Sequence, residues 1–359
     1  MMDKELNMDN VKKIKINNYV IGNGCPCFII AEAGVNHNGN INMALKLIDE
    51  ASKACVDAVK FQSFKAANLV TSYAQKAIYQ ITNTNNDETQ FEMLKKLELS
   101  FEDHQIIKDY CAEKGIIFIS SPFDEQSADL LLDLDVLLFK IPSGEITNFP
   151  FIEHVAKMGK PVILSTGMSL LGEVEEAVNA IKAFNKNLIL LHCTSNYPAK
   201  PSEANLLAMK TMRYAFNLPV GYSDHTPGNE VALAAVSLGA CVIEKHFTLD
   251  KSLPGQDHKA SLEPHELKNL IRGIRIVESA IGNGIKRPFE SEKNTASVAR
   301  KSLVANCDII KGEILVEKMI ARKRPGTGLK PDMLKYIINK KAKRNITNGT
   351  LLDVGMFEE

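Results

Sequence analysis

A (β/α)8 TIM barrel is the fold this sequence predicts, and two observations predict it. Eight apolar runs alternate with stretches of helical periodicity over about 260 of the 359 residues, close to the ~250 typical of such a barrel. Nearly every run also stops on reactive polar residues. In a barrel the carboxyl ends of all eight parallel strands meet at one face, where activity resides. A purely structural scaffold has no reason to gather such residues there, so the pattern points to an enzyme.

The strands are read at Cys27–Ala33, Ala58–Gln62, Ile116–Ser120, Val136–Ile141, Val162–Ser165, Leu188–His192, Val220–Ser223 and Cys241–His246. Behind the first, Ala44, Leu47, Ile48, Ala51 and Cys55 recur at helical spacing, opposite Lys46, Asp49 and Glu50. Ser100 to Asp103 reads as a capping box that opens a helix ending before Gly115. The last barrel helix carries Pro264 in its first turn and Leu267, Leu270, Ile271, Ile274 and Ile281 on one stripe. Between the second strand and the capped helix runs a polar excursion, Ala66–Thr89, rich in Asn and Thr. Long loops after barrel strands cover the site, which makes this segment a candidate lid.

Gly282-Asn283-Gly284 closes the barrel, so residues 1–284 form one domain, 285–298 a polar linker and 299–359 a small α+β or β-rich module. From Ala299 onward the chain has 13 basic and 7 acidic residues, a net +6 that the barrel balances with −6. The whole is neutral, with 43 residues of each sign, which argues against nucleic acid and acidic membranes as partners. Met1–Lys15 lacks an apolar leader core, and no run approaches ~20 apolar residues. The expectation is a soluble, cytoplasmic protein. Seven cysteines without a CxxC pair read as buried free thiols in a reducing compartment.

His225 and His246 end the seventh and eighth strands, which are neighbours in a barrel. Side chains alternate along a strand, so Ser223 shares the inner face with His225, and Glu244 shares it with His246. Two imidazoles converging at the mouth suit a divalent metal with open positions, held loosely as Mn²⁺ or Mg²⁺ is. Lys60, Lys140 and Lys245 add cations near strand ends, while Ser121, Ser143, Ser165 and Ser223 add hydroxyls. Together with the Ser165-Thr166-Gly167 backbone these make a phosphate cradle. Lys245 is the lysine expected to pair structurally with Glu145 or Glu244. Glu32, Glu145 and Asp257 supply carboxylates for proton transfer. A phosphate site, an exchangeable metal and a general acid at one mouth suggest addition of a phosphorylated nucleophile to a carbonyl.

The blocks Ile30 to His37, Lys60 to Ser63, Lys140 to Glu145, Leu164 to Met168, His192 to Pro198, Gly221 to His225 and Glu244 to Phe247 occur in this order. They resemble the N-acetylneuraminate (sialic acid) synthase family, which includes legionaminate and pseudaminate synthases. Arg300-Lys301-Ser302 and Arg324 to Gly328 resemble the antifreeze-like (SAF, β-clip) domain that ends these enzymes. The resemblance implies condensation of phosphoenolpyruvate with an open-chain N-acetylhexosamine, giving a nine-carbon sialic-type acid and phosphate. It implies that His225 and His246 hold the metal, Mn²⁺ first, with Mg²⁺ or Co²⁺ as alternatives. Phosphoenolpyruvate falls to Lys60, Ser121, Lys140, Ser143, Ser165 and Ser223, and proton transfer to Glu32, Glu145 and Asp257. Gln62 and Tyr197 fall near the sugar, as does Arg324, which reaches into a second subunit's barrel in a domain-swapped homodimer. Ser195 stands where some sialic acid synthases carry Asn, which bears on the N-acyl contact.

On this footing the first expectation is an N-acetylneuraminate synthase serving carbohydrate biosynthesis, as for a lipopolysaccharide or capsule. The alternative is a legionaminate or pseudaminate synthase using a 2,4-diacetamido-trideoxyhexose. A Schiff-base aldolase built on a strand-end lysine is remoter. A non-catalytic carbohydrate- or ice-binding tail on an inert barrel fits least, because the tail lacks a flat Thr-rich face.

Overall fold

The computed structural model describes residues 11–84 and 87–358, in two compact units that divide at Gly282 and Asn283. Residues 1–10, which make up most of the Met1–Lys15 stretch, lie outside the described residues, as do 85 and 86 of the predicted lid.

The chain opens with a short hairpin, β1 (Ile14–Ile16) and β2 (Tyr19–Ile21), that the sequence reading does not foresee. Eight parallel strands follow: β3 (Phe28–Gly34), β4 (Ala58–Ser63), β5 (Ile117–Pro122), β6 (Phe139–Ile141), β7 (Val162–Ser165), β8 (Leu188–Cys193), β9 (Val220–Asp224) and β10 (Val242–His246). They form one sheet in the order β5-β4-β3-β10-β9-β8-β7-β6. Pairing of β10 with β3 brings first and last strands together, so the barrel is complete except for a seam between β5 and β6. The seam falls where the expected strand Val136–Ile141 shortens to three residues, its start taken up by the turn at Asp135, whose φ is +50°.

Two-residue alternation sorts each strand into an outer and an inner row. Outer residues such as Ile29, Phe61, Phe118, Phe139, Leu164, Leu190 and Ile243 pack against the surrounding helices. Inner residues change character along the strand. Phe28, Ile30, Ala58, Ile117, Ile119, Ile163, Ile189, Leu191 and Val242 fill the lower barrel together with Ile14, Ile16 and Ile21 of the hairpin. The hairpin therefore plugs the amino-terminal end, with Tyr19 edge-on to Phe28 at 5.2 Å between centroids. One step of two residues further up, the same rows continue as Glu32, Lys60, Ser121, Ser165, Cys193 and Glu244. Apolar packing at the bottom thus holds polar groups at the top.

Helices follow the expected stripes. Ala44, Leu47, Ile48 and Ala51 are buried on Ile41–Lys53, and Leu267, Leu270, Ile271 and Ile274 on Pro264–Ile281. Ile281 is an exception, exposed at the last position of its helix. Ser100 caps Phe101–Glu113, its hydroxyl accepting from the Asp103 N–H while the Asp103 carboxylate accepts from the Ser100 N–H, each at 3.0 Å. The cysteines are free, but not all are buried: Cys55, in the left-handed turn after the first barrel helix, and Cys307 are exposed. Among the described residues no helix is long and apolar enough to cross a membrane.

The second unit holds the antiparallel pair β11 (Ser302–Ala305) and β12 (Ile320–Lys323) around a core of Leu303, Ala305, Ile309, Leu315, Ile337, Ile346, Leu352 and Phe357. The stretch expected as a linker, 285–298, contributes most of a short helix, Lys293–Ala299, to this unit.

Gly221 sits on the inner row of β9 where a side chain has no room. A Cβ there would lie 2.5 Å from the Val242 carbonyl oxygen and 2.7 Å from Leu191 Cδ2. Gly221→Ala should therefore destabilise the barrel by about 1–3 kcal/mol, measured by denaturant unfolding. A stability equal to that of the parent chain would contradict the packing described.

Candidate active site

The carboxyl ends of the strands enclose a cavity of about 430 Å³. Twelve of the fourteen residues singled out from the sequence line it: Glu32, Lys60, Gln62, Ser121, Lys140, Ser143, Ser165, Tyr197, Ser223, His225, His246 and Asp257. Glu145 and Arg324 stand apart. Glu145 turns out of the cavity on the short helix Ser143–Glu145 and accepts a hydrogen bond from Asn148 at 2.8 Å. Burial raises its pKa. Arg324 belongs to the second unit, exposed, with Nε donating to the Ala299 carbonyl at 3.0 Å.

At the floor two lysines and two carboxylates alternate. Lys60 Nζ lies 2.7 Å from Glu32 and 3.8 Å from Glu244, and donates to Ser121 Oγ at 3.1 Å. Lys140 Nζ lies 3.3 Å from the other oxygen of Glu244, which also accepts from Ser223 Oγ at 2.9 Å. None of the four charged side chains exceeds 6 % exposure. Burial disfavours every charge here, so the neighbours decide each protonation state. At Glu244 burial pushes the pKa up, but Lys140 and Lys60 outweigh it and bring it down to about 2. At Glu32 burial wins over Lys60, and Glu244 adds to it, giving about 7. Burial also opposes the charge on Lys60, yet Glu244 and Glu32 hold its pKa up; at Lys140 burial prevails and the pKa falls. Lys245 points to the outer row and pairs with Asp224 at 2.5 Å, so its partner is neither Glu145 nor Glu244, the two expected from sequence.

Beside the floor the His225 and His246 rings face each other, centroids 5.4 Å apart. His225 Nδ1 is 2.8 Å from the Thr194 carbonyl, which can only accept, so that nitrogen carries the proton and Nε2 keeps its lone pair. His246 is held well below the usual histidine pKa, by burial and then by the His225 charge, and its buried Nδ1 has no hydrogen-bond partner. Nε2 of His225 in its neutral form and Nδ1 of His246 carry lone pairs that fit a divalent transition metal, while at His225 burial is outweighed by Cys193 and the pKa is raised. Among the described residues no group of three or more His, Cys, Asp or Glu side chains is placed to hold one. Tyr197 stacks on His225 at 4.2 Å, and Tyr79 stacks on Tyr197 at 5.1 Å.

Asp257 is buried in the cavity wall, and burial raises its pKa to about 6, with His225 limiting the rise. Ser165 Oγ is buried without a partner, a hydroxyl that only a ligand or water in the cavity can satisfy. In the expected cradle, the Gly167 N–H donates to Ser143 Oγ at 2.9 Å. A Cβ at Gly167 would strike Ser195 Oγ at 2.2 Å, so glycine is what lets these loops meet.

Three groups take a larger part in the cavity than the sequence reading gave them. Glu244 is the hub of the floor rather than a bystander, and its two-residue spacing from His246 already places it inward. Cys193 lines the cavity, its Sγ 3.7 Å from His225 Nδ1. The excursion after β4 carries three short helices, Ala66–Leu69, Ile78–Asn83 and Gln90–Lys95, and gives the cavity Leu69, Val70, Ala77, Tyr79, Gln80, Gln90 and Leu94.

The sequence pattern of the NeuB family matches residues 47–286, and that of the SAF domain matches 300–358. An N,N'-diacetyllegionaminic acid synthase from Campylobacter jejuni is 51 % identical over 327 residues, 90 % of this chain and 98 % of that protein. One from Legionella pneumophila is 48 % identical, covering 92 % and 94 %. The crystal structure of an N-acetylneuraminic acid synthetase from Leptospira borgpetersenii, in complex with citrate, superposes with a TM-score of 0.70 at 36 % identity. It covers 79 % of this chain and 95 % of that one.

The floor makes a statement about stability against pH. A carboxyl whose folded pKa is raised contributes stability below its unfolded value and loses it as pH rises through the folded one. For Glu32 that window runs from the unperturbed 4.5 to about 7. Glu32→Gln cannot lose a proton, so its melting temperature should fall less between pH 5 and pH 8 than that of the parent chain. Parallel melting curves across this range would show that Glu32 ionises normally.

Proposed function

The chain belongs to the NeuB family, and from that premise we propose that it condenses phosphoenolpyruvate with a free 2,4-diacetamido-trideoxyhexose, giving a legionaminate-type nine-carbon acid and phosphate. One observation carries the acceptor: identity to the two diacetyllegionaminic acid synthases exceeds that to the N-acetylneuraminic acid synthetase. This reverses the first expectation from sequence, which put N-acetylneuraminate ahead of legionaminate and pseudaminate. Charge supports a sugar without phosphate. Lys60 and Lys140 are the only lysines among the described residues lining the cavity, no arginine lines it, and both sit on the floor.

Those two lysines receive the phosphate and carboxylate of phosphoenolpyruvate, and Ser121, Ser143, Ser165 and Ser223 orient them. His225 and His246 would hold a divalent cation, Mn²⁺ before Mg²⁺ or Co²⁺, which when bound would supply Lewis-acid polarisation of the sugar aldehyde. Carbon three of phosphoenolpyruvate forms a bond to the aldehyde carbon, and the carbonyl electron pair moves onto oxygen. Asp257, with a pKa of about 6, retains protonated molecules near neutrality and gives that oxygen its proton. Water adds to the cationic carbon two. Glu32, with a pKa of about 7, is poised to take the proton that this water releases. The new hydroxyl on carbon two then forms the keto carbonyl as the bond from carbon two to the phosphate oxygen breaks, and phosphate leaves carrying the hydroxyl proton. Gln62 and Tyr197 line the wall that meets the sugar. Glu145, outside the cavity, keeps no step in this scheme. Arg324 is assigned to the barrel of a second copy in a domain-swapped dimer, and the cytoplasm is the compartment that supplies phosphoenolpyruvate.

Phosphate release from phosphoenolpyruvate should be at least about tenfold more efficient, in kcat/KM, with the diacetamido sugar than with N-acetylmannosamine. EDTA should abolish release and Mn²⁺ restore it. Preference for N-acetylmannosamine would overturn the acceptor, and full activity in excess EDTA would overturn the metal. The dimer has its own test. Lys60→Met and Arg324→Ala chains, each inactive, should recover about a quarter of full activity when mixed and allowed to exchange, because half the dimers gain one intact site. No recovery would place Arg324 in its own barrel's site or in none.

A further inference from the structure

The segment between β4 and the Phe101–Glu113 helix folds around an apolar cluster of its own, Val35, Phe64, Ala66, Met93 and Leu94, packed by Leu69, Val70 and Phe123. That cluster is open on one side. Leu69, Val70, Leu94 and Phe123 also line the cavity whose floor is made of charges. Two primary amides border the apolar wall, and they differ in how far they are engaged. Gln80 is saturated: Oε1 accepts from the Ala77 N–H at 2.9 Å and Nε2 donates to Gln256 Oε1 at 2.8 Å. Asn83 donates to the Gln256 carbonyl at 2.9 Å, so this amide chain ties the segment to the loop that carries Asp257. Gln90 has one long contact, Nε2 to Gln80 Oε1 at 3.4 Å, and its own Oε1 makes no hydrogen bond among the described residues.

From this placement we infer that the wall formed by Leu69, Val70, Leu94 and Phe123, with the Gln90 amide, is the subsite that selects the acceptor by its far end. It receives an acetamido group and a terminal methyl. The inference rests on the acceptor proposed above. The reacting aldehyde belongs beside the imidazole pair and Asp257, so the distal carbons of an open chain extend away from the floor toward this wall. An acetamido group offers one donor, one acceptor and a methyl. A half-free primary amide beside aliphatic side chains complements all three. A terminal methyl lies against Leu69 and Val70 without loss, whereas a terminal hydroxymethyl buries a hydroxyl with no partner. A hydrophobic pocket rejects an added hydroxyl by up to about 10². The barrel floor cannot make this distinction, because the competing acceptors share their first carbons.

The test compares kcat/KM for the diacetamido sugar and for N-acetylmannosamine in the full-length protein, in Gln90→Leu and in Val70→Thr. Gln90→Leu keeps the shape and deletes the amide, and should lower the selectivity ratio about tenfold, as loss of a hydrogen bond does. Val70→Thr keeps the volume and offers the hydroxymethyl a partner, and should lower the ratio severalfold. Both should keep the parent melting temperature and the parent KM for phosphoenolpyruvate. Both side chains are only partly buried, so each variant checks the other for folding. A parent protein that prefers the diacetamido sugar, with variants that keep its ratio within twofold, overturns the subsite alone. A parent protein that prefers N-acetylmannosamine overturns the acceptor assignment, and the subsite with it.

Discussion

Four buried charges that neutralise one another hold the upper barrel together. Glu32, Lys60, Glu244 and Lys140 come from β3, β4, β10 and β6, so the cluster ties strands from both sides of the ring. Unpaired, any one of them would cost several kcal/mol to bury. As a set they leave no net charge in a low-dielectric interior, and they set one another's protonation states. Glu32, at about 7, is the member whose protonation state lies nearest neutrality.

The cluster can exist only because the rest of the barrel is closed below it. Inner-row residues are aliphatic or aromatic from the hairpin plug up to Ile30, Ile119 and Leu191, so the charges rest on an apolar layer. The polarity change occurs within a single two-residue step on β3, β4, β5, β7, β8 and β10. A barrel supplies this for nothing, since every strand points the same way and its side chains alternate. The imidazole pair depends on the same geometry. His246 continues the inner row of Glu244, and His225 lies beyond Ser223, oriented by the Thr194 carbonyl from the neighbouring loop.

That geometry explains how much was legible in the chain. Period two and a run of apolar residues locate a strand, and a polar residue at its end on the inner row is a site residue almost by construction. Lys60, Lys140, Ser165, Ser223, His225 and His246 follow from that rule. Glu145 fails it because it lies past the strand, on a helical turn whose rotation cannot be read from alternation. The hairpin plug escaped because three-residue strands are too short to show a period. Glu244 was visible as inward, yet its place between two lysines depends on which strands become neighbours across the ring. The segment after β4 had composition but no periodicity. Its helices are four to six residues long and take their stability from a cluster shared with Val35, Phe64 and Phe123, which are remote from one another in sequence.

The two kinds of legibility correspond to two kinds of constraint. Under the proposed function, residues on strand ends answer to the chemistry of phosphoenolpyruvate and an aldehyde, which is the same whichever sugar is used. Their spacing is locked to the barrel, and substitution there disturbs buried charge. Residues on the inserted segment answer only to what lies at the far end of the acceptor, and they hang on a small cluster outside the barrel core. A segment of that kind can change its apolar wall without disturbing the four charges beneath it. Acceptor choice can therefore diverge among proteins that keep one floor, and the resemblance carried by strand-end motifs is blind to it. That is why those motifs identify the family and leave the acceptor open.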